Sequence, residues 1–199
     1  MATIADRQHF PNHSNFTVNI NGTNITVTVT ASASVVQEWI NTTVSIGADL
    51  LRRYRLEVAL SMDPAANTLH LCVGVRCLIF QLSRADCIPP NLRSFVYSSH
   101  CRFGGFWNRG HRQLLLSKYG LVMNYDPMDL RLLKGGLENL TTEGIIYECH
   151  GFRVDLKEEI RTSDWNQEKL SDDQVLYACL ESYCALNCGV KLNLWLLGF

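Results

Sequence analysis

Tyr177 and Glu181 stand four residues apart in LSDDQVLYACLESY (170–183), the stretch of this 199-residue chain best suited to chemistry. On a helix that spacing puts a phenol and a carboxylate on one face, one turn apart, where they can hold a water and a metal ion side by side. The stretch carries its own helix-start signal. Ser171 can cap the first turn, Asp172 and Asp173 complement the positive end of the helix dipole, and Val175, Cys179 and Cys184 follow the apolar face. A third candidate is Glu57, an acid inside the apolar run LEVALSM (56–62). Basic groups form a separate cluster. Arg109, His111 and Arg112 follow Asn108, with Arg102 close in sequence, and side chains of that type grip phosphate. The competing reading is a solvated, positively charged helix start. A second basic run, Arg52-Arg53-Tyr54-Arg55, suits a linker anchored on an acidic neighbour, and Asp129 suits an N-cap.

The rest of the composition restricts what these groups can do. Net charge is −1, so no global field draws in nucleic acid, and any such binding needs a local patch. Apolar residues make up 47% and charged residues 19%, values that fit a packed α/β domain with a sizeable core. Residues 1–30 hold polar, β-prone sequence without an apolar signal-peptide core, and no run approaches the roughly 18 apolar residues of a membrane span. The expectation is a nuclear or cytoplasmic protein, in which the N-x-S/T sequons at Asn12, Asn15, Asn21, Asn24, Asn41 and Asn139 are incidental. None of the eight cysteines has C-x-x-C spacing. Cys184-x-x-x-Cys188 and Cys149-His150 lack a second knuckle for zinc, so reduced thiols are expected.

Those candidates must be positioned by an alternating set of elements. FTVNINGTNITVTVT (16–30) alternates apolar and polar residues about Asn21-Gly22, a β-hairpin signal. A helix follows through Val35, Val36, Trp39, Ile40 and Val44 and ends near Gly47. LEVALSM (56–62), LHLCVG (69–74) and RCLIFQL (76–82) read as a three-strand meander. Pro89-Pro90 opens a helix carrying Leu92, Phe95 and Val96. RFGGFW (102–107) is a strand whose glycines suit close backbone approach, a helix runs from about Arg109 to Tyr119, and Met128-Asp129-Leu130 marks another short strand. Residues 1–14 read as a flexible polar arm, and 15–199 as a single domain. Trp107, Trp165 and Trp195 are expected in packing or interfaces, and the apolar tail LNLWLLGF (192–199) against another subunit. The hairpin has an edge that needs cover.

Six stretches, in order, carry a family resemblance: SVVQEWI (34–40), TLHLCVGVRCLIFQL (68–82), FGGFWNRGHRQLLLSKYGL (103–121), MDLRLL (128–133), SDW (163–165) and LSDDQVLYACLESY (170–183). Together they resemble the DnaQ-like 3′–5′ exonuclease domains, in particular plant Werner-syndrome-type exonuclease-like proteins, over about residues 25–190. The resemblance implies an α/β, ribonuclease H-like three-layer sandwich with a mixed central sheet, here with an N-terminal β-hairpin. In that family four acids hold two Mg²⁺ or Mn²⁺ ions about the scissile phosphate. Matched to its motifs, the acid positions fall on Glu57, Ala59, His111 and Glu181, with Tyr177 kept. Two of the four carry no carboxylate, and two carry a Glu one methylene longer than the family's Asp. The implied function is a 3′–5′ exonuclease-like protein associated with single-stranded nucleic acid, without a competent metal centre, acting as a binding or assembly module. No cofactor is then expected; Glu57 and Glu181 would be weak metal ligands at most, and Arg109, His111 and Arg112 would grip phosphate without cutting. Its protein partners would be copies of itself or an active relative. The alternative is a weak Mn- or Mg-dependent exonuclease.

Overall fold

The computed structural model describes residues 2–53 and 56–192. Three strands, β1 (Ala2–His9), β2 (His13–Ile20) and β3 (Thr23–Thr30), form an antiparallel meander. Both residues of the Asn21-Gly22 turn take positive φ (48° and 88°), matching the twist of the strands they join. Helices α1 (Ala33–Ile46) and α2 (Ala48–Arg52) lead to β4 (Leu56–Met62), β5 (Leu69–Val73) and β6 (Arg76–Phe80). Then come α3 (Pro90–Tyr97), β7 (Cys101–Gly105), α4 (His111–Tyr119), β8 (Met128–Asp129), α5 (Thr142–His150), α6 (Glu158–Arg161) and the long α7 (Asp172–Lys191).

All eight strands join one sheet in the order β1-β2-β3-β6-β5-β4-β7-β8. The β3–β6, β4–β7 and β7–β8 pairs are parallel and the rest antiparallel. Period-two alternation divides the core between the two faces. Val58, Leu60, Met62, Leu71 and Phe80 pack with Trp39 of α1, Phe95 of α3 and Leu115 of α4. Ala59, Cys72, Cys77 and Ile79, with Phe16, Val18 and Val27, face α7 and α5. The result is the mixed-sheet, three-layer sandwich that the resemblance implies.

Residues 2–9 form a strand, not part of a flexible arm over 1–14. Ala2–His9 pair with β2 along its length, Ala2 and Ile4 pack on the core, and Arg7 forms an ion pair with Asp172 at the start of α7. A largely polar strand gives little sequence signal, yet main-chain pairing, two apolar contacts and one ion pair place it. It also covers the hairpin edge, and β1 becomes the sheet's border. Most of the tail 192–199, with Trp195, lies outside the described residues, as do Tyr54 and Arg55 of the basic run. Among the described residues no helix is long and apolar enough to cross a membrane.

Candidate functional site

The parallel strands β4 and β7 run out at the same edge of the sheet, where open α/β sheets place their ligands. A cleft of about 430 Å³ opens there. Alternation along β4 turns Ser61 toward α7, and its Oγ lies 3.1 Å from Ser182 Oγ. Ser61 also lies 3.1 Å from Nδ1 of His70, its register partner on β5. His70 Nε2 is 2.8 Å from the Thr68 hydroxyl, which donates to Asp63 Oδ1 at 2.9 Å. That hydroxyl therefore accepts from Nε2–H, and Nδ1 is left to accept from Ser61. Burial, with His111 nearby, pushes His70 down to about 3, so the ring is neutral.

Asp63 follows the strand and spends its carboxylate on the turn. Oδ1 accepts from Thr68 N at 2.6 Å as well as from the Thr68 hydroxyl, and Oδ2 accepts from Ala65 N at 3.1 Å. The opposite wall is α7, fixed by a capping box between Ser171 and Gln174. The Gln174 amide also donates to Ser163 Oγ and to the Asp164 carbonyl, each at 2.9 Å, which seats the buried Trp165 beside Tyr177. Glu181, one turn further on, is buried, and burial lifts its carboxyl to about 7 against the pull of a Ser61 hydrogen bond and of Arg161. Burial likewise raises the Tyr177 phenol. Arg161 is the guanidinium of the cleft, and it is tied to Glu158.

The third wall comes from the segment after β7. Gly105 is required there, because a Cβ would run into the Leu60 carbonyl of β4. His111 opens α4, and its Nδ1 is buried without a hydrogen-bond partner. Burial pushes it down to about 4, although Asp129 works the other way. At the rim Trp107 takes a left-handed φ of 55° and is 54% exposed. Its indole N–H donates to Thr142 Oγ1 at 3.1 Å, and the Arg131 guanidinium lies 3.5 Å over the ring. Asp129 accepts from that guanidinium at 3.0 and 2.5 Å, and also from Arg131 N at 3.1 Å as the N-cap of a short 3-10 turn.

Of the residues picked out in the sequence, Tyr177, Glu181 and His111 meet in this cleft. Glu57 and Ala59 do not. Glu57 is half-buried near the start of β4 beside Arg102 of β7, and Ala59 is core under α7. The pair that alternation delivers to the cleft is Ser61 and Asp63, four residues further along, about 13 Å at strand rise. The missed signal was directional: ligands collect at the carboxyl ends of parallel strands, and Glu57 is at the other end. The phosphate grip is not assembled in this cleft either. His111 is neutral there, Arg109 is exposed away from the lining, and Arg112 faces Asp126 at 3.7 Å. Ser61, Asp63, His70, Trp107 and Arg161 were not singled out for this cleft by sequence reasoning.

No family model matches the chain, and no curated protein matches it. Solved structures do. The Aedes aegypti Nibbler EXO domain superposes with a TM-score of 0.63 at 15% identity, over 84% of this chain and 87% of that one. A nuclease solved in its apo form gives 0.60 at 17% identity, over 75% and 77%. Escherichia coli RNase D gives 0.62 at 14% identity, over 78% of this chain and 43% of the longer RNase D chain. The chain shares the fold of these exonuclease and nuclease domains.

Whether this exonuclease fold has the donors for paired divalent cations is a question about its own side chains. Hard cations need several ionised oxygens converging on one point. Here the strand presents a hydroxyl at Ser61, Asp63 is engaged by backbone N–H groups, burial disfavours the ionised form of Glu181, and His111 is an imidazole. Among the described residues no three His, Cys, Asp or Glu side chains converge as metal ligands. The donor set does not fit a two-cation centre.

Proposed function

We propose that this chain is a nucleic-acid-binding domain of exonuclease fold that seats a single-stranded end in its cleft without hydrolysing it. One observation carries the reading: where β4 meets α7, the strand presents a serine hydroxyl, spent on Ser182 and His70 at 3.1 Å each, and no carboxylate, beside a buried Glu181, so little negative charge is fixed there for a cation. Binding has other support. The cleft is roomy enough for a nucleotide-sized group, and Trp107, propped by Arg131 and Thr142, offers a flat exposed ring at its mouth. RNase D is described as an exoribonuclease involved in structured RNA processing, which makes single-stranded RNA the first ligand to test.

The test uses end-labelled single-stranded RNA and DNA at two salt concentrations, with Mg²⁺, Mn²⁺ or chelator. The expected result is salt-dependent binding and no product ladder under any metal condition. A Mn²⁺-dependent ladder abolished by Glu181→Gln overturns the non-hydrolytic reading in favour of a weak exonuclease. That second reading rests on the placement of Tyr177 and Glu181 side by side in the cleft, and it predicts activity only above neutral pH, once Glu181 ionises. Assembly with copies of itself or an active relative is part of the proposal, with the open edge of β1 as the surface; light scattering showing only monomer would remove it.

A further inference from the structure

At the end of the α5–α7 packing, away from the cleft, a thiol pair has the arrangement of a peroxide-reactive site. Cys149 lies in the last turn of α5 and is partly exposed; Cys188 lies near the end of α7 and is buried. Cys188 Sγ is 3.4 Å from Nε2 of His150, the residue that follows Cys149, and Cys149 is near enough for its ionisation to depend on that of Cys188. Lys191 of α7 and Lys134 of the preceding loop both place positive charge near Cys149, with Glu148 the one opposing group. We propose that Cys149 and Cys188 form a reversible redox modification site in which Cys149 reacts with hydroperoxides and Cys188 resolves the product as an α5–α7 disulfide.

The chemistry balances with the hydroperoxide as the oxidant. The Cys149 thiolate attacks the terminal peroxide oxygen, the O–O bond breaks, and the alkoxide or hydroxide leaves and takes a proton from water. Cys149 is then a sulfenic acid. The Cys188 sulfur attacks the Cys149 sulfur, the S–S bond forms, the S–O bond breaks, and hydroxide leaves with the Cys188 proton as water. His150, kept neutral by burial and by Lys191, stands where it can take that proton in transit.

The division of labour follows from the surroundings. The interaction with Cys188 and the two lysines lower Cys149 to about 7, while that same interaction with Cys149, and then burial, push Cys188 up. The exposed, ionisable sulfur therefore meets the oxidant first, and the buried one waits beside it. The helix end works against this, since its dipole disfavours an anion, while Cys188, Lys191 and Lys134 all favour the thiolate. The other six cysteines offer no such pairing of exposure with an adjacent thiol: Cys87 is exposed but has no thiol contact, and the rest are buried. The bridge would also tie α5, whose first turn holds Trp107 through Thr142, to the helix carrying Tyr177 and Glu181.

The experiment treats full-length protein with hydrogen peroxide at pH 7.4, blocks free thiols and maps peptides without reduction. The expected product is a Cys149–Cys188 crosslink, lighter by two hydrogens and reversed by dithiothreitol. Cys188→Ser should instead accumulate a Cys149 sulfenate trapped by dimedone, and Cys149→Ser should give neither. Because Cys188 is buried and its variant can be unstable, wild-type alkylation supplies a second reading. Iodoacetamide should modify Cys149 with a pH midpoint about 7 and, at that pH, roughly fivefold faster than an ordinary exposed thiol, with Cys87 as the internal reference. Oxidation spread equally over Cys87 and Cys149, or a Cys149 that alkylates no faster than Cys87, overturns the proposal.

Discussion

The hydroxyl of Ser61 lies 3.1 Å from His70 Nδ1 and 3.1 Å from Ser182 Oγ, so it links β5 to α7 one residue from Glu181. It donates to the imidazole nitrogen and can accept from the Ser182 hydroxyl. Burial at the same place pushes the Glu181 carboxyl up to about 7.

Glu181 should set a pH-dependent loss of stability. Its folded pKa of about 7 exceeds the ordinary glutamate value, so above pH 4.5 the unfolded chain sheds a proton that the folded one keeps. Stability due to this group is full below pH 4.5, falls as pH rises, and is lost by about 7, on the order of 3 kcal/mol in all. His70 and His111 work in the opposite sense, since each must stay neutral and destabilises the fold as pH drops from 6.5 toward about 3 and 4. The difference between wild type and Glu181→Gln isolates the carboxyl. Chemical denaturation at several pH values should show the variant gaining on wild type between pH 4.5 and 7; parallel curves would contradict the raised pKa.

Asp63 should prove structural. Its carboxylate accepts three hydrogen bonds, two of them from backbone N–H groups with no other partner in that turn. Asp63→Ala is expected to cost about 3 kcal/mol and to leave any Mn²⁺ isotherm of the native protein unchanged. A loss below about 0.5 kcal/mol in a urea melt would mean that the turn does not depend on this side chain.

Trp107→Ala should separate binding from stability. Removing the ring loses a cation–π contact with Arg131, worth about 1 kcal/mol, and the hydrogen bond to Thr142, while Ala keeps a Cβ on the same left-handed backbone, so the melting temperature should fall by only a few degrees. Stacking of a base is worth about 1–3 kcal/mol, so affinity for a single strand should drop about tenfold or more. Fluorescence anisotropy with a labelled oligonucleotide decides: equal affinities would remove Trp107 from the interface.

How much of this was legible depended on whether local chemistry or topology did the placing. The α7 helix could be read because Ser171 caps it and Asp172 and Asp173 follow in its first turn, local signals to which the structure adds Gln174 as the other half of a capping box, and the Asn21-Gly22 turn because it admits few alternatives. The cleft could not be read in full. Glu57 is the one acid in LEVALSM, while Ser61 and Asp63 look like a strand end and a turn; only the parallel pairing of β4 with β7 shows which end faces the cleft. His111 reads as cationic beside Arg109 and Arg112, yet burial makes it neutral. The strand Ala2–His9 is held by main-chain pairing and an ion pair with a residue far along the chain, neither of which leaves a periodic pattern.

Ser61→Asp tests the fit argument from the other direction. A carboxylate at that position would face Glu181 and His70 in a buried setting, so without metal it should destabilise the fold by about 2–4 kcal/mol and drive Glu181 further toward its protonated form. It would also give α7 and β4 two carboxyl groups that can converge on one cation. Mn²⁺ should then restore stability to the variant, by about 1.4 kcal/mol at tenfold excess over the dissociation constant, while the wild type shows no such gain. Thermal melts of both proteins with Mn²⁺ and with chelator make the comparison. A wild-type melting temperature that climbs with Mn²⁺ as steeply as the variant's would show that the native cleft already holds a cation, and that the serine at position 61 is no obstacle to it.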